Sequence, residues 1–417
     1  METFKPLKNT FNGFFKKNPY LRIIGWNALV VALLFAGSWL IAHFLMGGKD
    51  FYVKWSSTVL LRTEQINPYS NQATQRIAES AESTIFFPLA ENAVFSSPIY
   101  SLFLYYPLSF IRNFEWARAV WLTCCTFFWV KAWKGQNLFK RISNTSSQIL
   151  FLWIFAFLNV FTLMIFLGGD LVAISFLLIL FAFQKIQEGK YELAGIFCGL
   201  ATLNPGLALS AMLIFTIFSI KNRNAGFLVW FLITTGLLCF SGYLLQNDWM
   251  IQFLQSNIKV VRTLISSVDL GIKNLTQLLK IALPLILALF EWLRSLNRLD
   301  QPEKVNWIFN YTILLLALGF CNLIPSLIIL FLPAIFQIYS EWEKRESSTA
   351  RLIGYGHLGV YLVISILLLI LKPGILVGRD AIPEFLVWLT GFHLIVGMYW
   401  IRGWLYQDTM RNFIKSE

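Results

Sequence analysis

The sequence predicts an all-α polytopic membrane protein, and three observations support this fold class. Of the 417 residues, 57% are hydrophobic and only 13% are charged, whereas soluble domains carry roughly 25% charged residues. The depletion of charge extends over the whole chain, which excludes a soluble domain with one anchor. Long apolar runs alternate with short basic loops, as expected for a chain that crosses a membrane repeatedly. The net charge of +12 therefore reflects membrane topology, and no nucleic-acid partner is expected.

The N-terminal region determines the predicted orientation. Residues 1–22 carry five basic side chains and should remain cytoplasmic. Residues 23–46 contain no Asp, Glu, Lys or Arg and are long enough to cross a bilayer core of about 30 Å. Residues 47–114 then form the first extracytoplasmic loop. Apolar residues recur every four positions over 51–62, which predicts an amphipathic juxtamembrane helix.

Residues 98–111 are apolar but too short to span, so we expect an interfacial or re-entrant segment there. The next helix, at about 115–133, then begins outside and delivers the basic residues from Lys131 to Arg141 to the cytoplasm. If 98–111 crossed the membrane, those charges would face outward.

Two later segments are predicted to be broken hairpins. Residues 191–220 have basic residues beside both ends, and both ends should therefore be cytoplasmic. Because one span cannot return to its starting side, the break at Asn204-Pro205 must divide the segment into two short helices, with a tip in the outer half of the membrane. Residues 305–340 repeat this pattern, with a break at 322–325.

The remaining apolar runs complete the expected topology. They lie at about 148–167, 171–186, 226–245, 275–293, 352–371 and 385–401. A polar outer segment, 246–273, separates two of them. We expect about 12 spans in a single membrane domain, 1–417, with 115–401 holding all spans after the first. Both termini are predicted to be cytoplasmic, including a basic tail at 402–417.

Two aspartates stand at the outer ends of predicted spans. Asp50 follows Gly47, Gly48 and Lys49, and Asp170 follows a second Gly-Gly pair. A carboxylate at the mouth of a span is costly unless it meets water or a partner, so Asp50 either marks the end of a span or belongs to a site. Asp170 is either a second acidic site residue or a helix start, since Asp favours helix N-termini. A carboxylate facing water suits the removal of a proton from a hydroxyl.

The sequence contains no known catalytic or cofactor-binding motif. Phosphate-binding loops, zinc motifs and dinucleotide fingerprints are absent from it. His43, His357 and His393 lie within predicted spans and are interpreted as packing residues. The five Cys are interpreted as small buried hydrophobes. No metal and no cofactor is expected, because a carboxylate site without His or a second firm Asp does not make a tight metal site.

Several short motifs follow one another in an order that is typical of one class of membrane enzyme. Gly-Gly-Lys-Asp-Phe-Tyr stands at 47–52 and Asn-Pro-Tyr at 67–69. Residues 97–108 are similar to a Tyr-Pro-Pro segment followed by Pro-Leu, and residues 194–205 to an Ala-Gly…Gly-Leu-Ala…Lys-Pro segment. Asn-Leu-Thr at 274–276 is similar to an Asn-x-Ser element. This order resembles the GT-C glycosyltransferases and, more narrowly, glycosyltransferase family 87, the polyprenyl-phosphate-mannose-dependent enzymes. The resemblance covers roughly residues 20–290.

The resemblance implies a GT-C-type fold and the transfer of a hexose, by expectation mannose, with inversion. The donor would be a polyprenyl-phosphate sugar and the acceptor a hydroxyl of a lipid or glycan. Asp50 would be the general base. Binding of donor, lipid phosphate or substrate would fall to Lys49, Tyr52, Tyr100, Asn204, Arg262 and Asn274. The enzyme would be a monomer in the plasma membrane, surrounded by membrane lipids, with its active site on the extracytoplasmic side.

The chain departs from the family pattern at two positions. The family often has Lys before the hairpin Pro, whereas this chain has Asn204, so a phosphate-binding cation is missing there. Arg262 either supplies that cation or is a solvated loop charge. The family often has Gly-Gln where this chain has Gly169-Asp170.

Two other functions stay open. A lipid-linked sugar flippase or polysaccharide transporter should carry charges within its helices and symmetry between two halves. Here the charges lie at span ends, which favours an enzyme. A non-catalytic relative that binds lipid would differ from the enzyme only in its lack of activity.

Overall fold

The structure, a computed structural model, describes residues 19–45, 47–84, 95–135, 146–266, 272–295, 302–321, 325–345, 347–371 and 383–416. Almost all of these residues are helical and none lies in a strand. The predicted all-α class is therefore confirmed.

The first half of the chain begins with a long helix followed by several short elements. The helices are α1 (Pro19–Phe44), α2 (Lys49–Glu64), α3 (Asn71–Thr84), α4 (Leu102–Tyr105), α5 (Phe114–Gly135), α6 (Ser146–Leu158), α7 (Val160–Gly168) and α8 (Leu171–Gln187). Two 3-10 turns, Ile99–Ser101 and Pro107–Phe110, flank α4. The apolar stretch 98–111 thus contains no helix long enough to span, as predicted.

The second half consists of longer helices. They are α9 (Tyr191–Leu200), α10 (Pro205–Lys221), α11 (Gly226–Leu245), α12 (Trp249–Ser266), α13 (Ile272–Ser295), α14 (Pro302–Phe320), α15 (Phe331–Glu343), α16 (Ser348–Leu371) and α17 (Glu384–Ser416). A 3-10 turn at Ala201–Leu203 follows α9, and another at Pro325–Leu330 precedes α15.

The centre of the apolar core lies where α8, α10 and α14 meet. Phe183 stacks on Phe309 with ring centroids 4.2 Å apart, and Phe215 lies 5.4 Å from Phe309. All three rings are buried. By contrast, α11 and α13 expose many large apolar side chains, as expected for surfaces that face lipid.

Four described helices are long and apolar enough to cross a membrane. Their apolar windows are Asn27–Phe44, Gly226–Leu245, Ser348–Ile370 and Glu384–Leu405. The α6–α7 pair makes a fifth if its two parts form one span. Shorter apolar helices include α8 and α10. These helices are consistent with a membrane protein, whereas the expectation of about 12 spans stays a prediction.

The predicted span at 148–167 is not one straight helix. Helices α6 and α7 meet at Asn159 with a bend of 54°. Oδ1 of Asn159 accepts a hydrogen bond from the Thr162 N–H at 2.9 Å and thereby caps α7. A capping asparagine inside an apolar run is a helix-start signal that a length criterion alone overlooks.

The break predicted at Asn204-Pro205 is present. Asn204 is extended, and α10 begins at Pro205. Oδ1 of Asn204 accepts a hydrogen bond from the Leu207 N–H at 3.3 Å, and proline suits the first helical position because it has no N–H to leave unpaired. The second predicted break, at 322–325, falls mostly outside the described residues.

Two segments near the ends of predicted spans differ from expectation. The polar outer segment 246–273 is largely helical, because it contains α12. Met250, Ile251, Leu254 and Ile258 are exposed on α12, and their spacing places them on one helical stripe.

The predicted tail at 402–417 does not begin a new segment, since α17 continues to Ser416.

Cysteine labelling tests the orientation. In a variant without the five native Cys, we expect Cys placed at Gln75, Gln255 or Val377 to react with a membrane-impermeant maleimide from outside intact cells, because these positions lie in predicted outer segments. Cys placed at Asn222, between α10 and α11, should react only after permeabilisation. Gln75, Gln255 and Asn222 are exposed, so a difference among them would report sidedness. Labelling of Asn222→Cys in intact cells would contradict the topology.

Candidate functional site

Asp50 lies in the first turn of α2, directly after a sharp turn of the backbone. Gly48 precedes the helix with a φ of 88°, a left-handed conformation that favours glycine. The N-terminus of a helix carries partial positive charge, so the carboxylate of Asp50 is favourably placed there. Residues 47–50 therefore turn the chain from α1 into α2 and leave Asp50 at that turn.

The Asp50 carboxyl combines access to water with close enclosure. Its side chain is exposed, yet loss of solvation within the protein is the strongest influence on its pKa. The Asp50 carboxyl therefore meets solvent while the surrounding protein removes part of its hydration.

The turn between α7 and α8 packs directly against Asp50 and the next residue. A Cβ atom built on Gly168 would lie 3.7 Å from Oδ2 of Asp50. One built on Gly169 would lie only 2.4 Å from Cβ of Phe51. Since no side chain fits at position 169, Gly169 allows the close approach of the two turns.

Asp170 follows these glycines and has two structural relations. Its Oδ1 accepts a hydrogen bond from the Val172 N–H at 3.1 Å, so it caps α8. Its charge also acts on Asp50. Asp170 is therefore both a helix start and a neighbour of Asp50, and the two aspartates that the sequence singled out lie in one site.

Four influences determine the direction of the Asp50 pKa. Loss of solvation within the protein raises the pKa of the carboxyl, Lys54 lowers it, Asp170 raises it and Lys49 lowers it, and the net direction is upward. A raised pKa brings a carboxylate nearer to the neutral range, in which a general base works best. Shifts of this kind are common at functional sites.

Lys54 is a candidate site residue that the sequence interpretation missed. It follows Asp50 by four residues, a spacing that places both side chains on one face of α2. Lys54 is only 8% exposed, and its ammonium has no hydrogen bond or ion pair among the described residues. An enclosed stem with an unpaired ammonium suits the binding of an anion.

Aromatic rings form the wall behind the two aspartates. Phe51 contacts Trp121 and Tyr105 with ring centroids 5.6 and 5.7 Å apart. Tyr105 stacks on Trp121 at 4.8 Å. Burial raises the pKa of Tyr105, and Asp170 and Asp50 raise it further. The Tyr105 ring therefore lies beside the acidic pair.

Two tyrosines that were predicted to bind substrate use their hydroxyls within the protein. Tyr52 donates to Oγ of Ser80 at 3.0 Å, which joins α2 to α3. Tyr100 donates to the Thr202 carbonyl at 2.9 Å, and burial raises the pKa of Tyr100 to about 12. Both donor protons are thus engaged in structural hydrogen bonds.

The Tyr100 contact also relates the hairpin tip to the acidic site. Thr202 belongs to the 3-10 turn at the tip, and Tyr105, five residues after Tyr100, lies beside Asp50. One short segment therefore links the hairpin tip to the neighbourhood of the aspartates.

The other predicted binding residues have different placements. Lys49 is half-buried next to Asp50. Asn204 caps α10 and makes no described contact with Asp50. Arg262 lies in α12 and Asn274 in α13, but their side chains fall outside the described part of the chain. The role of these residues in binding stays a prediction.

An apolar cavity lies beside the hairpin break. It has a volume of about 230 Å³ and is bounded by α8, α10, α14 and the 3-10 turn before α15. Its lining includes Phe176, Ile179, Gly206, Leu207 and Phe320. Irregular backbone at membrane depth is tolerated where it lines a cavity, and this lining fits an apolar chain.

The cavity and the acidic site share α8. Phe176 follows Asp170 by six residues, a rise of about 9 Å along the helix axis. The site as a whole offers a proton acceptor, two cations and an apolar cavity. No family model matches this sequence, and neither a curated protein nor a solved structure matches it.

Proposed function

We propose that the protein is an inverting hexosyltransferase that uses a polyprenyl-phosphate sugar and transfers the sugar to a hydroxyl at the extracytoplasmic face. The observation that carries this proposal is the Asp50 carboxyl, which is exposed, lies against the turn at Gly168, and has a pKa that is raised in part by a second carboxylate, Asp170. These are the properties of a base that accepts a proton from a ligand. A GT-C-type fold and a plasma-membrane location belong to the same proposal.

In the proposed reaction, Asp50 accepts the proton of the acceptor hydroxyl. The acceptor oxygen forms a bond to the anomeric carbon of the hexose while the bond from that carbon to the phosphate oxygen breaks. The polyprenyl phosphate leaves with the electron pair of the broken bond. Displacement in one step inverts the anomeric configuration.

Lys54 and Lys49 supply positive charge for the leaving phosphate. Hydrogen bonds between an ammonium and a phosphate are charge-assisted and strong, and fixed positive charge stabilises the negative charge that develops on a leaving group. Because Lys54 holds no other partner in the described part of the chain, it offers the cation that Asn204 does not. The apolar cavity near Gly206 would receive part of the polyprenyl chain.

A transfer assay tests the proposal directly. Purified protein in lipid nanodiscs would be given a panel of polyprenyl-phosphate hexoses with a lipid acceptor, and the product would be examined for anomeric configuration. Transfer with inversion is the expected result. Saturable binding of polyprenyl phosphate without transfer of any hexose would instead favour a non-catalytic lipid-binding protein, a function that the apolar cavity alone supports.

Replacing Asp170 with Asn should shift the pH dependence of transfer. Asp170 contributes to the raised pKa of Asp50, so its loss lowers that pKa. Asp50 then loses its proton at a lower pH, and the acidic limb of the kcat/KM profile moves to lower pH. Asp248→Asn, which removes an exposed aspartate next to α12, should leave the limb in place. An unchanged limb in Asp170→Asn would contradict the pairing of the two aspartates.

A further inference from the structure

Arg118 lies buried between the ends of two helices that lead into the acidic site. It belongs to α5 and is 2% exposed. Its guanidinium donates to the Leu45 carbonyl at 2.8 Å and to the Ala42 carbonyl at 3.5 Å, both at the end of α1. It also donates to the Leu167 carbonyl at 3.2 Å, in the last turn of α7. One side chain therefore connects the C-terminal ends of α1 and α7.

The surroundings explain how this charge is tolerated. The last carbonyls of a helix lack partners within the helix and carry partial negative charge. Arg118 meets two such ends at once, and no carboxylate lies within ion-pair distance of it among the described residues. Its Nε is enclosed and has no hydrogen-bond partner. The planar guanidinium is suited to this task because its donors point in several fixed directions.

Each helix end that Arg118 holds is followed by one aspartate. Leu45 precedes Asp50 by five residues, and Leu167 precedes Asp170 by three. The turn at Gly48 also rests on Arg118, since a Cβ atom built on Gly48 would lie 2.9 Å from Nε. The guanidinium thus supports both turns that carry the carboxylates.

We propose that Arg118 is the positioning residue that fixes the spacing of Asp50 and Asp170. Its catalytic meaning rests on the proposed function, but the spacing itself does not. The variant Arg118→Lys tests the spacing of the two aspartates separately from catalysis. Lysine keeps the positive charge, but its single ammonium cannot reach carbonyls on two helices with the geometry of a guanidinium. The two turns then separate, and the electrostatic coupling between positions 50 and 170 weakens.

A thiol reporter measures this coupling without any substrate. In a background without the five native Cys, the thiol of Asp50→Cys is titrated by its rate of reaction with a maleimide as a function of pH, since the thiolate is the reactive form. Asp170→Asn should lower the titration midpoint, because a neighbouring negative charge disfavours the thiolate. Lys49, Lys54 and Tyr105, the other titratable groups that face position 50, stay unchanged throughout.

The test is a double-mutant cycle with Arg118→Lys. We expect the shift caused by Asp170→Asn to fall to less than half in the Arg118→Lys background, because coupling energies vanish when two sites no longer interact. Arg112→Lys, at an exposed arginine just before α5, should leave the shift at its full size. An equal shift with and without Arg118→Lys would overturn the inference, as would loss of the shift in Arg112→Lys.

A second variant and a kinetic measurement distinguish a positioning role of Arg118 from misfolding. If Arg118→Lys does not fold, as judged by size-exclusion chromatography, Arg118→Gln serves in the same cycle, because its amide reaches only one helix end. In the enzyme with Asp50 intact, Arg118→Lys should lower kcat and move the acidic limb to lower pH. A reduced coupling in a protein that transfers no sugar supports the positioning role and rejects the proposed function. Full transfer with unreduced coupling rejects the positioning role alone.

Discussion

Replacing Asp50 with Asn is expected to lower the rate of sugar transfer by at least about a hundredfold, because general-base catalysis typically contributes 10²–10⁴-fold. The amide keeps the size and shape of the carboxyl but cannot accept the proton. Removing a carboxylate that is already disfavoured by desolvation should leave the fold intact. Transfer would be measured under single-turnover conditions, and donor binding separately by the quenching of tryptophan fluorescence.

The informative comparison is between the effect of Asp50→Asn on the transfer rate and its effect on donor affinity. Donor affinity should change much less than the rate, because the missing function is proton acceptance and not contact with the phosphate. Asp248→Asn should retain normal transfer, since Asp248 is exposed and outside the site. Near-normal turnover in Asp50→Asn together with loss of turnover in Asp170→Asn would assign the base to Asp170 instead.

Local chemistry that depends on neighbouring residues in the chain was predictable from the sequence. Asn204-Pro205 breaks a helix because proline restricts the residue before it and lacks a donor, and the structure has its break there. The Gly-Gly pair before Asp50 lets the backbone turn sharply, and Gly48 has a left-handed φ. The lack of a helix long enough to span at 98–111 was predicted from the length of that apolar stretch and from the charges that follow it.

Features that depend on three-dimensional contact were missed or only partly predicted. The bend at Asn159 arises because a side chain caps α7 inside an apolar run, and a search for uncharged stretches does not detect a cap. The hydroxyls of Tyr52 and Tyr100 donate to Ser80 and Thr202, which are distant in sequence, while a binding role for either tyrosine stays a prediction. No local pattern reveals such partners.

The two missed cations did leave signals in the sequence. Lys54 follows Asp50 by one helical turn, which is the spacing of a pair on one face of a helix. Arg118 lies near the start of a predicted span, at 115–133, and a charge within the membrane region usually has a partner within the protein. The partner could not be found from sequence, because it is the carbonyl ends of two other helices. Only their packing shows that one arginine serves both.

Replacing Gly169 with Ala should have the second large effect, because it disturbs both the backbone and the contact between the two acidic turns. Gly169 has a φ of 73°, and a left-handed conformation costs an alanine about 1–2 kcal/mol. The new Cβ would also lie 2.4 Å from Cβ of Phe51. Overpacking of this kind adds about 1–3 kcal/mol. The protein relieves the clash by moving the α7–α8 turn away from α2, so transfer should be largely lost.

Two other glycines separate the causes of that loss. Gly189 has the same φ of 73° but nothing within 4 Å of its Cβ position, so Gly189→Ala carries the backbone strain without the clash. Gly168→Ala places its Cβ in ordinary contact, 3.7 Å from Oδ2 of Asp50, and carries neither. Thermal unfolding in detergent should therefore rank Gly169→Ala as the least stable, Gly189→Ala next and Gly168→Ala close to the parent protein. If Gly169→Ala is no less stable than Gly189→Ala and transfers sugar normally, the two turns do not touch, and the acidic pair described at Asp50 and Asp170 is wrong.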